Sequence, residues 1–162
     1  MNIRDFAAKK QQGVPISMVT CYDAWSAALI ADTDIDCVLV GDSLAMVVYG
    51  HDTTLPADMD TMAAHTAAVR RGAPGKFLIG DMPFLSYRRS LESAVDNAGK
   101  LMRAGAQAVK LEGGRKRADH VAALLDAEIP VMGHLGLTPQ SLHRLGGFRG
   151  QGKTARAARA IL

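Results

Sequence analysis

Apolar runs recur along the chain, and each closes on a side chain capable of chemistry. Ser17-Met18-Val19-Thr20 leads into Cys21-Tyr22-Asp23. Val38-Leu39-Val40 ends in Gly41-Asp42-Ser43, and Phe77-Leu78-Ile79 ends in Gly80-Asp81. Ala108-Val109-Lys110-Leu111 runs into Glu112-Gly113-Gly114, and Val131-Met132-Gly133 into His134-Leu135-Gly136. Short apolar runs without polar alternation read as strands buried on both faces. They predict strands over residues 17–22, 35–42, 76–81, 107–112 and 130–135.

Helical spacing fills the intervals. A polar helix over 2–12 stops at Gly13-Val14-Pro15. Asp23 is placed to cap a helix from Ala24 to Ala31. Asp60 or Thr61 can cap another from Met62 to Arg71, stopped by Gly72-Ala73-Pro74-Gly75. Leu91, Ala94, Ala98, Leu101 and Met102 form one apolar face of a helix over 90–104, closed by Gly105. Further helices are expected over 117–127 and from Thr154 onward. The connection from Ser43 to Pro56 is long for a βα loop, which points to function.

Strand and helix therefore alternate, which implies an α/β protein with a parallel sheet and right-handed crossovers. A (β/α)₈ barrel and an open doubly wound sheet both fit. No Gly-x-Gly-x-x-Gly follows the first strand, and polar groups stand at every strand end rather than at one crevice. Both points favour the barrel, whose ligands gather at the carboxyl ends of its strands. A barrel needs eight units and about 250 residues, whereas 162 residues supply five. The expectation is a single domain, residues 1–162, forming the N-terminal part of a barrel.

Charge and composition narrow the partners. The net charge is +3, and Arg144, Arg149, Lys153, Arg156 and Arg159 lie in a stretch without an acid. That stretch reads as a solvated helix start. It lacks the aromatic interleaving of single-strand binders, so no nucleic-acid partner is expected. No run approaches the roughly 20 apolar residues of a membrane span, and no signal peptide is visible. Cys21 and Cys37, placed inside predicted strands, read as buried free thiols of a reducing compartment. The expected location is the cytoplasm.

Asp42, Asp81 and Glu112 would repel one another at a shared mouth unless a cation lay among them. Taken singly, each acid could equally cap a helix or turn. Together they suit a hard divalent ion of the Mg²⁺ type, which leaves positions for water and substrate oxygens. Zinc is disfavoured, since no Cys cluster or close His pair exists. Lys110 precedes Glu112 by two residues, so both side chains share a strand face. It could pair a substrate carboxylate or form a Schiff base. Nearby acids should raise its pKa, which favours the electrostatic role. Ser43 reads as a substrate hydrogen-bonding group, because the second Gly of a nucleophile elbow is missing. His134 is either a catalytic or supporting group or a hydrogen-bonded core histidine. The set suits a small anionic oxo acid that reacts through an enolate.

At these residues the sequence resembles the ketopantoate hydroxymethyltransferase family. The matching stretches include Thr20-Cys21-Tyr22-Asp23, Val40-Gly41-Asp42-Ser43, Gly50-His51-Asp52-Thr53-Thr54-Leu55-Pro56 and His65 to Pro74. Asp81-Met82-Pro83-Phe84, Val109 to Gly114 and Gly133 to Gln140 continue the match. The resemblance implies a TIM barrel of the phosphoenolpyruvate/pyruvate-binding type. It implies hydroxymethyl transfer from 5,10-methylenetetrahydrofolate to 3-methyl-2-oxobutanoate, giving 2-dehydropantoate in pantothenate biosynthesis through a metal-stabilised enolate. Metal positions fall on Asp42, Asp81 and Glu112, and substrate contacts on Asp42, Ser43, Asp81 and Lys110. His134 matches an active-site histidine. Cytoplasmic homo-oligomers, typically decamers, are implied. The family's general base is a Glu at the end of the sixth strand, beyond the last residue here, so the base is expected to be absent from this chain. Two alternatives follow: an inactive chain serving as a binding or oligomerisation partner, and a C–C lyase of the isocitrate lyase/phosphoenolpyruvate mutase type.

Overall fold

The computed structural model describes residues 1–162. Five parallel strands form one sheet: β1 (Met18–Thr20), β2 (Cys37–Val40), β3 (Phe77–Asp81), β4 (Ala108–Glu112) and β5 (Val131–His134). Each strand pairs with its sequence neighbour, so the order is β1-β2-β3-β4-β5. A doubly wound sheet would reverse direction partway. Here every crossover steps the same way, as in a barrel wall.

The two faces of the sheet have separate tasks. Val38, Val40, Leu78, Val109 and Leu111 point outward into the main core. There they meet Ala27 of α2 (Ala24–Ala31), Leu101 of α5 (Leu91–Arg103) and Leu124 of α6 (Ala118–Asp126), among others. Full burial of a Val or Leu side chain contributes about 1.5–3 kcal/mol. The inner face carries Cys37, Leu39, Phe77, Ile79 and Ala108, with Phe6 of α1 (Ile3–Gln12) against them. The Phe6 and Phe77 rings meet edge to face at 4.8 Å. α1 thus closes the amino-terminal end of the inner layer, and the carboxyl end stays open.

Predicted and observed elements differ at identifiable places. α1 is capped by Asn2 and α2 by Asp23, whose side chain accepts from the Ser26 N–H. α4 (Met59–Gly72) starts a turn earlier than expected, because Asp58 rather than Asp60 or Thr61 caps it, accepting from the Thr61 N–H at 2.8 Å. The long loop after β2 contains a short helix, α3 (Leu44–Val47). Cys21 lies beyond β1 and Cys37 opens β2; both are buried and free. Two-sided burial fails at β1 and β5, whose residues are mostly half-buried or exposed, because these are the sheet's edges. After β5 come α7 (Leu142–Leu145) and α8 (Ala155–Ile161).

One latch ties α1 to the foot of β2. The Asp36 carboxylate pairs with Lys9 and accepts from both the N–H and the hydroxyl of Ser17. The Lys9 contact first, then Ser17, lowers its pKa to about 2. A carboxylate depressed in the folded state stabilises above its unfolded pKa of about 3.9 and ceases to as pH falls through the folded value. Asp36→Asn should therefore melt below the unsubstituted chain at pH 7, and the gap should close between about pH 4 and pH 2 in circular-dichroism melts.

Candidate active site

Strand register builds the site. Asp81 stands opposite Lys110 across the β3–β4 ladder, and Glu112 opposite His134 across β4–β5. Side chains alternate along a strand, so Lys110 and Glu112 both face inward. The Lys110 ammonium lies 2.8 Å from Asp81 Oδ1. His134 Nδ1–H donates to Glu112 Oε1 at 3.2 Å. Asp42 lies just past β2, where the chain turns inward. Its backbone N–H donates to Asp81 Oδ2 at 3.1 Å.

Asp42, Ser43, Asp81, Lys110, Glu112 and His134 all line one cavity of about 300 Å³ at the carboxyl end of the sheet. All six residues singled out in the sequence are therefore brought together. Ser43 is held by Tyr22, whose hydroxyl lies 2.9 Å from Ser43 Oγ. Asp23 is not part of the site; it is a helix cap.

The electrostatics follow from burial. Asp42, Asp81, Lys110 and Glu112 are all buried. Burial pushes the Asp81 carboxyl up to about 7; Lys110 pulls it down and Asp42 pushes it further up. Burial likewise raises Asp42, against a Gln140 hydrogen bond and the Lys110 charge. For Lys110, burial alone would lower the pKa. The charges of Asp81, Asp42 and Glu112 outweigh it, and the net shift is upward. Lys110 is thus held as an ammonium, which is wrong for a Schiff-base nucleophile and right for pairing an anion.

The donors fit a hard cation by chemistry. The carboxylates outnumber the single lysine, and all their donor atoms are oxygen. Asp81 Oδ1 is buried and has no well-directed hydrogen bond, because the close Lys110 contact is poorly angled. Thr54 Oγ1 is another buried oxygen without a partner, in a residue that also lines the cavity. No three acidic, His or Cys side chains are already drawn into a tight ligand cluster. Mg²⁺ does not require one, since it binds through one or two carboxylates and keeps waters and substrate oxygens.

Three contributors escaped the sequence reading as site residues. Thr54 belongs to the loop flagged for its length, which was the available signal. Tyr87 sits in a turn after β3 and Gln140 in a single 3₁₀ turn (Pro139–Ser141) after β5, both too short for periodicity to single them out. Gln140 Nε2 donates to Asp42 Oδ2 at 2.9 Å, and Tyr87 reaches the Glu112 backbone at 3.1 Å.

Consecutive parallel βα units with acids converging at their carboxyl ends define part of a (β/α)₈ barrel, with the polar groups gathered at the end where such barrels bind ligands. The family model for ketopantoate hydroxymethyltransferase matches residues 1–162, and the chain belongs to that family. The 3-methyl-2-oxobutanoate hydroxymethyltransferase of Coxiella burnetii is 55% identical over 163 aligned residues, covering 100% of this chain and 61% of the relative. That of Legionella pneumophila (strain Paris) is 52% identical, covering 100% of this chain and 62% of the relative. The chain thus spans about three fifths of these curated relatives. Among solved structures, 2,3-dimethylmalate lyase, a PEP mutase/isocitrate lyase superfamily member, superposes with a TM-score of 0.64 at 16% identity. The match covers 98% of this chain and 58% of that one. The fold is that of a TIM barrel, of which five βα units are present.

Proposed function

We propose that the chain serves hydroxymethyl transfer from 5,10-methylenetetrahydrofolate to 3-methyl-2-oxobutanoate, giving 2-dehydropantoate for pantothenate biosynthesis. The observation that carries this reading is the convergence of Asp42, Asp81, Lys110 and Glu112 on one cavity. At about 300 Å³ the cavity is at the small end for ligand sites, which suits a compact oxo acid. Asp42, Asp81 and Glu112 would hold Mg²⁺ or a similar ion. Bound there, such an ion would supply Lewis-acid polarisation of the substrate's keto and carboxylate oxygens, which would favour loss of the C3 proton to a base and the enolate form of the oxo acid.

The protein's own groups orient the substrate. Lys110 pairs with its carboxylate, and Ser43, steadied by Tyr22, supplies a hydrogen bond. His134 holds Glu112 in place. A second cavity shares His134 and is walled by Arg115, Lys116, Arg144 and Arg159. Its positive charge suits the anionic end of a reduced folate. A cytoplasmic homo-oligomer acting on small molecules, with no nucleic-acid partner, completes the proposal. No helix is long and apolar enough to cross a membrane.

A melt followed by circular dichroism tests the reading. Mg²⁺ with 3-methyl-2-oxobutanoate, at 100 times its Kd, should add about 2.7 kcal/mol. For a chain of this size that raises Tm by about 5–10 °C. Mg²⁺ with isocitrate or phosphonopyruvate should give the same Tm as Mg²⁺ alone. A shift with those ligands instead would favour the lyase/mutase reading, and no shift with any would remove the proposed site.

A further inference from the structure

We infer that Gln140 is the positioning residue that sets the arrangement of Asp42 and Glu112 for a divalent cation. The inference rests on the cation reading above and concerns a residue outside the ligand set. Gln140 is 3% exposed, and both ends of its amide and its backbone N–H are engaged. Its Nε2 donates to Asp42 Oδ2 at 2.9 Å and to the Met82 carbonyl at 2.8 Å. Its Oε1 accepts from the Tyr87 hydroxyl at 2.8 Å and from Arg88 Nη2 at 3.3 Å. Its backbone N–H donates to Glu112 Oε2 at 3.2 Å. One residue therefore touches carboxylates delivered by β2 and by β4, at opposite sides of β3.

The amide can point only one way. A carboxylate and a carbonyl lie on one side, and both only accept. A guanidinium and a phenol already engaged with the Glu112 backbone lie on the other. Flipping the amide would set Oε1 against Asp42 and Nε2 against Arg88, losing both charge-assisted bonds. Arg88 adds rigidity: its guanidinium also donates to the Tyr87 hydroxyl at 3.0 Å and lies 5.2 Å from the centre of that ring. Tyr87 in turn accepts from the Glu112 N–H at 3.1 Å. The chain Arg88–Tyr87–Gln140 thus ties the end of β4 to Asp42. The amide that meets Asp42 is itself neutral, so it orients the carboxylate without neutralising it, as the outer partners of metal ligands do.

Mn²⁺ serves as the probe, read by electron paramagnetic resonance on the 162-residue chain. Gln140→Met keeps the length and apolar bulk but removes the amide. It should weaken Mn²⁺ binding about 10- to 100-fold, the usual cost of losing such a partner. Tyr87→Phe removes the hydroxyl that links Gln140 Oε1 to the Glu112 backbone, leaves Oε1 with Arg88 alone, and should weaken binding several-fold, giving a second measure if Gln140→Met folds poorly. Gln151→Ala is the control: Gln151 lies on an exposed loop, and the variant should bind like the unsubstituted chain. A residue of purely structural importance would lower Tm yet leave the Kd of the folded fraction unchanged. Mn²⁺ Kd values within about twofold of the unsubstituted chain, for folded Gln140→Met or Tyr87→Phe, would overturn the positioning role alone. An unsubstituted chain that binds no Mn²⁺ would overturn the cation reading and this inference with it.

Discussion

On the proposed function, Asp81→Asn is expected to abolish cation-dependent binding of the oxo acid, weakening Mg²⁺ or Mn²⁺ affinity at least about 100-fold by the loss of one of the carboxylates proposed to hold the cation. Asp81 is 1% exposed and sits between two obligations. Oδ2 accepts the Asp42 N–H, and Oδ1 faces the Lys110 ammonium. An amide has one acceptor oxygen, so one of the two contacts must face an NH₂ group. If the oxygen stays with Asp42, the amide hydrogens confront Lys110. Removing one partner of a buried ion pair costs about 3–5 kcal/mol. Asp42 and Glu112 remain close to Lys110, which places the loss of stability near the lower figure. Asp81→Asn combined with Lys110→Met should regain part of that stability, because no buried charge is stranded. The double variant should still fail to bind the cation. Calorimetric titration beside thermal melts separates the two effects. Retained cation affinity in Asp81→Asn would show that Asp81 is only the counter-ion of Lys110.

The convergence of Asp42, Asp81 and Glu112 was legible because strand-end position is a local property. An apolar run closed by an acid with Gly beside it delivers that acid to the carboxyl end of a parallel strand wherever the strand sits in the sheet. Lys110 was legible for a related reason: a spacing of two from Glu112 fixes a shared face. Burial at the sheet margins was not legible. Val131-Met132 has the composition of a buried strand, but burial depends on what lies alongside, and β5 is an edge here. Gln140 escaped because its role arises from contacts across the fold. It meets Asp42, 98 positions earlier, and Tyr87, 53 positions earlier. No periodicity records such meetings. Asp58 escaped for a smaller reason: three capping-type residues, Asp58, Asp60 and Thr61, crowd one turn. Only the geometry of the Thr61 N–H selects among them.

Gly72 carries a comparable expected effect on folding. In the sequence it reads as a helix stop, and in the structure it is the last residue of α4, packed directly against α2. A Cβ there would lie 2.2 Å from the Ala24 carbonyl oxygen and 2.7 Å from the Ala27 Cβ. Neither obstacle can rotate away, since one is backbone and the other is the stub of a fully buried Ala27. The two helices would have to separate. Gly72→Ala should therefore cost about 3 kcal/mol, the upper end for overpacking, despite alanine's better helix propensity. That lowers Tm by about 6–12 °C for a chain of this size. Gly75, with nothing within 4 Å of a built Cβ, is the control; Gly75→Ala should stay within about 0.5 kcal/mol. The damage should also reach the site. His65 on α4 donates from Nδ1 to the Tyr22 carbonyl, one residue before the cap of α2, and the Tyr22 hydroxyl holds Ser43. Parting α2 from α4 shifts Tyr22 and frees Ser43. Gly72→Ala should then weaken oxo-acid binding even below its Tm, whereas an equally destabilising change at the α1 latch should leave that affinity intact. The comparison tells whether the α2–α4 contact supports only the wall or also the hydroxyl that the wall presents.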